Sequence, residues 1–152
     1  MINLGPYSGK NCPNVHYSPR IIDRILEGVA LLVLLAVWGS IYWLYTQKEG
    51  VVSSSVWVTG GMSILIFCIM EFCSYAPVRW INFPVPVGER NIAIQYMLAV
   101  RFTRVVNINI CLLYLSATFL DYYWMSRVFF GISLGLLAIS FLVYYIMAFK
   151  YK

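Results

Sequence analysis

Apolar positions gather into four long runs, separated by short polar or proline-bearing stretches. Val29 to Tyr45 carries no charge, Met62 to Met70 is strongly apolar, and two more runs follow in the second half of the chain. Runs of about 18 or more apolar residues can cross the hydrocarbon core of a bilayer as helices. The pattern predicts spans at about 22–46, 52–72, 105–123 and 128–149, an irregular arm over 1–19, and a connection over 73–104. The expected class is an all-α integral membrane protein, one membrane domain over residues 1–152 with four transmembrane helices.

Local signals place the ends of these elements. Ser18 can cap the first helix with Pro19 at its first position, and Asp23 and Glu27 complement the positive helix end. Lys48, Glu49 and Gly50 make a short turn, which forces the first two spans antiparallel. In the connection, Pro77, Pro84 and Pro86 forbid a regular helix, while Tyr75, Trp80 and Phe83 are residues that settle at headgroup depth, so an ordered interfacial loop is expected. From Glu89 the pattern turns helical again. At 100° per residue Arg90, Arg101 and Arg104 fall within about 60° of one another, which predicts a basic amphipathic helix between spans two and three. A bend or one continuous helix into the third span is equally compatible with the pattern. The two halves of the chain share no internal repeat of the kind that builds many transporters.

Composition sharpens this picture. With 61% hydrophobic and 11% charged residues over 152 positions, the chain is far from the roughly 25% charged residues of a soluble domain. The formal charge of +5 leaves no soluble domain on which to build a nucleic-acid surface, so no nucleic-acid partner is expected. Lys10, Arg20, Arg24, Arg79, Arg90, Arg101, Arg104, Lys150 and Lys152 fall on one side of the expected topology, against Lys48 and Arg127 on the other. The positive-inside bias then predicts both termini in the cytoplasm. The first twenty residues lack the apolar core of a cleaved signal peptide, so the N-terminus is expected to be retained.

Candidate chemistry is sparse. Cys12, Cys68, Cys73 and Cys111 match no zinc or redox spacing and read as small buried residues rather than disulfides. His16 is the sole histidine, without a second ligand near it, and no phosphate loop, nucleophile elbow or zincin helix occurs. No metal, no cofactor and no enzymatic activity are expected. Glu71 closes an apolar span, where a carboxylate is costly unless paired; its expected partner is Arg79, Arg101 or Arg104, the alternative being an ion relay. Glu27 can pair with Arg24 three residues away. Asn107 and Asn109 point to different faces of the third span, one of them serving to bond a neighbouring helix. Gly131 and Gly135 form a small-x-x-x-small pair suited to helix packing or to a homo-oligomer.

The stretch Asn82 to Arg104, NFPVPVGERNIAIQYMLAVRFTR, resembles the Asn-Tyr-Pro-Val segment and following Glu-x-Asn-x-x-x-Gln-Tyr helix of small Bacteroidetes membrane proteins. That family is called domain of unknown function 1648. The matching positions are Asn82, Pro84, Val85, Glu89, Asn91, Gln95, Tyr96, Leu98, Ala99, Arg101 and Arg104, and the order of elements agrees along most of the chain. The sequence departs where the family carries a Pro-x-His-Phe-Asn motif after the first span, since here the equivalent place reads YTQKEGVVSSSVW. Ile94 and Met97 stand where the family tends to have basic or polar residues, which thins the basic stripe. The domain is distantly similar to the N-terminal part of SdpI-type immunity proteins, and the resemblance implies a bacterial inner-membrane location and a role in immunity or toxin sensing. The expected interaction surface is Asn82, Pro84, Glu89, Asn91, Gln95, Tyr96, Arg101 and Arg104, taking a partner protein or anionic lipid. The alternative is an oligomeric permease or channel lined by Glu71, Asn107 or Asn109.

Overall fold

In a computed structural model, residues 18–88 and 90–152 are described. The arm and its His16 and Cys12, and Glu89 of the expected interaction surface, lie outside the described residues. Four helices are long and apolar enough to cross a membrane: α1 (Ile21–Gln47), α2 (Ser54–Ser74), α3 (Ile92–Ala117) and α4 (Met125–Lys150). A single 3-10 turn, Val78–Trp80, interrupts the connection between α2 and α3. This is a multi-pass, all-helical architecture.

Helix α1 begins later than Ser18 and Pro19 suggested. Its cap is Arg20, whose backbone N–H donates to Asp23 Oδ2 at 2.7 Å, so the carboxylate three residues in does the capping. The turn after α1 takes positive φ at Glu49 and Gly50, and α2 starts from Ser53. The apolar surface of α1, α2 and α4 is mostly exposed: Leu32, Leu65 and Leu142, for example, are all more than half accessible. In water that would be untenable, whereas lipid tails are as apolar as leucine and cover such surface without cost.

The C-terminal end of α3 departs from the sequence reading. Of the two forms the pattern allowed, a bend or one continuous helix, the helix takes the second and runs unbroken for 26 residues, about 39 Å. It starts after Arg90 and stops at Ala117, where a span reaching Tyr123 was expected. Residues 118–124 instead form turns, tied to the α1–α2 turn by Ser55 Oγ donating to Asp121 (3.0 Å) and by the Ser53 N–H donating to the Tyr122 hydroxyl (3.1 Å). Helix α3 is the centre of the bundle and packs on α1, α2 and α4 alike. Its polar residues therefore face protein on several sides, and the basic face predicted to lie along the membrane surface is turned inward.

The connection 75–91 is folded. Val78, Phe83 and Val87 pack with Ile92, Tyr96, Ala99 and Val100 in one buried cluster, with Tyr144 of α4 against it. The Tyr96 hydroxyl donates to the Ala76 carbonyl (2.9 Å), and Asn91 accepts from the Gly88 N–H (2.7 Å) while donating to the Pro86 carbonyl (3.2 Å). Three prolines remove backbone donors, and these two side chains replace part of the lost pairing.

A second cluster near the opposite end joins Val37, Ile41 and Val56. Here Gly60 is closely approached: a Cβ at that position would sit 2.7 Å from Ile41 Cδ1 and 3.3 Å from Trp38 Cζ2, so the tip of the buried Ile41 would have to shift, whereas nothing lies within 4 Å of a Cβ on Gly61. Gly60→Leu is expected to destabilise the protein by about 1–3 kcal/mol through overpacking, and Gly61→Leu to have no such effect. Thermal unfolding of the two variants in one detergent checks this.

Candidate functional site

The feature that distinguishes this bundle is a cluster of charges inside it. Asp23 and Glu27 stand one turn apart at the start of α1, and Arg101 and Arg104 stand nearly one turn apart on α3, so the two pairs face each other. Arg101 Nε donates to Asp23 Oδ1 (3.1 Å). Arg104 donates to Glu27 Oε1 through Nη2 (2.8 Å) and Nε (3.1 Å), while its Nη1 lies 3.5 Å from Asp23 Oδ1, an electrostatic contact longer than a good hydrogen bond. Asp23 is fully buried and Arg104 is 1% exposed. Charges this deep persist only when paired and hydrogen-bonded.

Tyr75, immediately after α2, closes the cluster. Its hydroxyl donates to Glu27 Oε1 at 2.6 Å, and the Arg104 guanidinium sits 5.6 Å from its ring centroid. The bond to Glu27, with some burial behind it, raises the Tyr75 phenol above its ordinary value, so the hydroxyl stays a donor throughout the physiological range. Arg24 adds an outer contact to Glu27 (3.3 Å), the pairing the sequence suggested. Asp23, Glu27 and Tyr75 are the residues that sequence reasoning missed as partners of the arginines. The available signal was depth: carboxylates in the first two turns of α1 and arginines in the first half of α3 come to one level because both helices start from the same membrane face and run parallel.

Glu71 does not reach an arginine as expected. Its partner is Asn107, whose Nδ2 donates to Oε1 at 3.0 Å, and the Cys111 thiol donates to Asn107 Oδ1 at 3.9 Å. Asn109 bonds a different helix, donating to Ser140 Oγ of α4 at 2.8 Å. The two asparagines each join α3 to a neighbour, one to α2 and one to α4, and so do not meet.

The expected interaction surface is split by the fold. Gln95, Tyr96 and Arg104 are buried, and Gln95 spends its amide on the carbonyls of Ala148 and Tyr151 (2.9 and 3.0 Å), fastening the end of α4. Asn91 and Pro84 are half-buried, Arg101 is mostly covered, and among the described residues of that set Asn82 alone is exposed. What the loop end does expose is Arg79, Trp80, Asn82, Pro86 and Arg90, together with Arg20, Arg24, Lys150 and Lys152. The physical reason is the central place of α3 among the other three helices: arginines on a face turned toward α1 lose water and persist there because Asp23 and Glu27 pair them. Gly131 and Gly135 meet no neighbour within 4 Å, so they pack no helix of the same chain. Among the described cysteines Cys68 and Cys73 are exposed and Cys111 is buried, where burial of all was expected, because α2 turns most of its surface away from the bundle.

No protein-family model, curated protein or solved structure matches the chain. Function is accordingly argued from the site. Among the described residues no group of three potential metal ligands occurs. The ion cluster has each arginine engaged by a carboxylate, an arrangement that clamps α1, α3 and the start of the loop together.

Proposed function

We propose that the protein is a non-enzymatic, multi-pass protein of the bacterial inner membrane, with both termini cytoplasmic, whose folded loop end docks a partner protein. The observation that carries this is the burial of one side of the loop. With Val78, Phe83, Val85 and Val87 all at most 5% exposed, the opposite side holds Arg79, Trp80, Asn82, Pro86 and Arg90 in fixed positions. A pre-ordered surface loses little conformational freedom on binding, which favours a specific partner. Attraction to headgroups needs charge alone and no fixed backbone. The orientation rests on charge asymmetry: among the described residues eight basic side chains lie toward this end and two, Lys48 and Arg127, toward the other, where Glu49 and Asp121 balance them. The surplus of positive charge suits an acidic segment on the partner.

The resemblance of residues 82–104 to domain of unknown function 1648 extends the proposal to immunity or toxin sensing. The alternative, an oligomeric permease or channel, draws support from the contact of Glu71 with Asn107, whereas Asn109 bonds Ser140 of α4 on another side of α3.

Crosslinking at an artificial photoreactive residue replacing Trp80, in living cells, is expected to capture a discrete protein band. Arg79→Glu combined with Arg90→Glu is expected to remove that band while protein level stays normal. Crosslinks to lipid alone, or a band unaffected by the charge reversal, would count against the docking role.

A further inference from the structure

Between α3 and α4, on the loop-end half of the bundle, runs a groove of about 300 Å3 lined by Leu98, Arg101, Phe102, Val105, Val143 and Met147, among others. Arg101 is the one charged residue that lines it. The Asn109–Ser140 bond stands at its inner end. Phe102 stacks on Tyr144 with ring centroids 4.3 Å apart, which fixes an aromatic wall. Ile139 and Val143 are each about half exposed, so the groove opens sideways, where the bilayer lies.

Its depth can be read from the helices. The 21 residues of α2 span about 31 Å, close to the ~30 Å hydrocarbon thickness, so Ser74 marks one boundary. Glu71, one turn inside that boundary, is level with Asn107 through their hydrogen bond. Moving the same turn outward along α3 gives Arg104 at the boundary and Arg101 about 4.5 Å beyond it. Asp23, the partner of Arg101, is the third residue of α1 and agrees with this level. The Arg101 guanidinium thus stands where hydrocarbon gives way to phosphate.

We infer that this groove is a binding site for one anionic phospholipid, its acyl chain lying against Phe102, Val105 and Val143 and its phosphate facing Arg101. The side chain of Arg101 is 24% exposed while the Asp23 behind it is fully buried, so the groove is presented with the cation rather than with the carboxylate. Among the described ion pairs the cluster sets three arginines, Arg24, Arg101 and Arg104, against the two carboxylates Asp23 and Glu27, a local excess of one positive charge. Lys150, exposed at the end of α4 three residues beyond Met147, adds a second cation on the headgroup side. The apolar walls select a chain and the guanidinium selects the charge. This site is separate from the loop surface and needs only that the protein crosses a membrane.

The test is lipid retention. Protein delipidated in mild detergent is offered equal amounts of phosphatidylglycerol and phosphatidylcholine in mixed micelles, and bound lipid is counted by native mass spectrometry. The wild type is expected to retain phosphatidylglycerol about fivefold over phosphatidylcholine, the preference that one basic residue near anionic lipid provides. Arg101→Gln is expected to abolish the preference. Val143→Trp, which fills the groove from a half-exposed position and leaves the ion cluster intact, is expected to lose retention of both lipids. Arg79→Gln with Arg90→Gln is expected to change neither, which keeps the outcome independent of the loop surface. Equal retention of the two lipids by the wild type, or undiminished phosphatidylglycerol binding by Val143→Trp, would overturn the inference. So would a preference lost in the Arg79 and Arg90 variant but kept in Arg101→Gln.

Discussion

Arg104→Met is expected to destabilise the protein by about 3–5 kcal/mol, the cost of removing one partner from a buried ion pair. The substitution keeps the volume of the stem but leaves Glu27 without its two hydrogen bonds from the guanidinium and Asp23 with one cation fewer. The loss falls on the contact between α1 and α3, the two helices whose charges meet. Equilibrium unfolding in mixed detergent and SDS micelles measures it. Pairing the change with Glu27→Gln is expected to restore a large part of the stability, because the double variant buries no uncompensated carboxylate at that point. A rescue of that kind would show that the single variant suffers from an orphaned charge rather than from lost packing.

A comparable loss, again about 3–5 kcal/mol, is expected for Asp23→Ala. Asp23 does two jobs in one place: it accepts the Arg20 N–H at the start of α1 and it receives Arg101 and Arg104 from α3. Capping alone is worth about 0.5–2 kcal/mol, so the larger share belongs to the arginines. Asp23→Asn separates the two. Its amide oxygen can still accept at the helix start, yet it carries no charge for the arginines, so it is expected to recover the capping share alone. Hydrogen exchange at the first turn of α1 should therefore be fast in Asp23→Ala and near the wild-type rate in Asp23→Asn. Equal rates in the two variants would mean that the cap owes nothing to the side chain.

The membrane class and the number of helices were legible because apolar run length is a direct physical requirement of the bilayer. Helix ends were less so. Tyr122, Tyr123 and Trp124 look like the foot of a third span, yet the chain leaves the helix at Thr118 and spends Asp121 and Tyr122 on bonds to the α1–α2 turn. The site was half legible. Periodicity correctly put Arg101 and Arg104 on one face of a helix, but it cannot say what that face meets, and the reading toward the membrane surface failed once α3 proved to be the central helix. Gln95 shows the same limit. In the motif it looks like an exposed recognition residue, while in the fold it holds the last carbonyls of α4. The packed side of the loop did carry a signal: Phe83, Val85 and Val87 alternate with Pro84 and Pro86, and in an extended segment a period of two puts the three apolar side chains on one face, which is the buried one.

The central position of α3 has a consequence for how the chain is made. Synthesis delivers α1 first, and with it Asp23 and Glu27, whose cationic partners lie almost eighty residues downstream. Arg101 and Arg104 meet those carboxylates only through the contact of α3 with α1. The pairings exist only once the third helix is in place, so the ion cluster is completed late in the order of synthesis, although two of its members are among the first residues of the first helix.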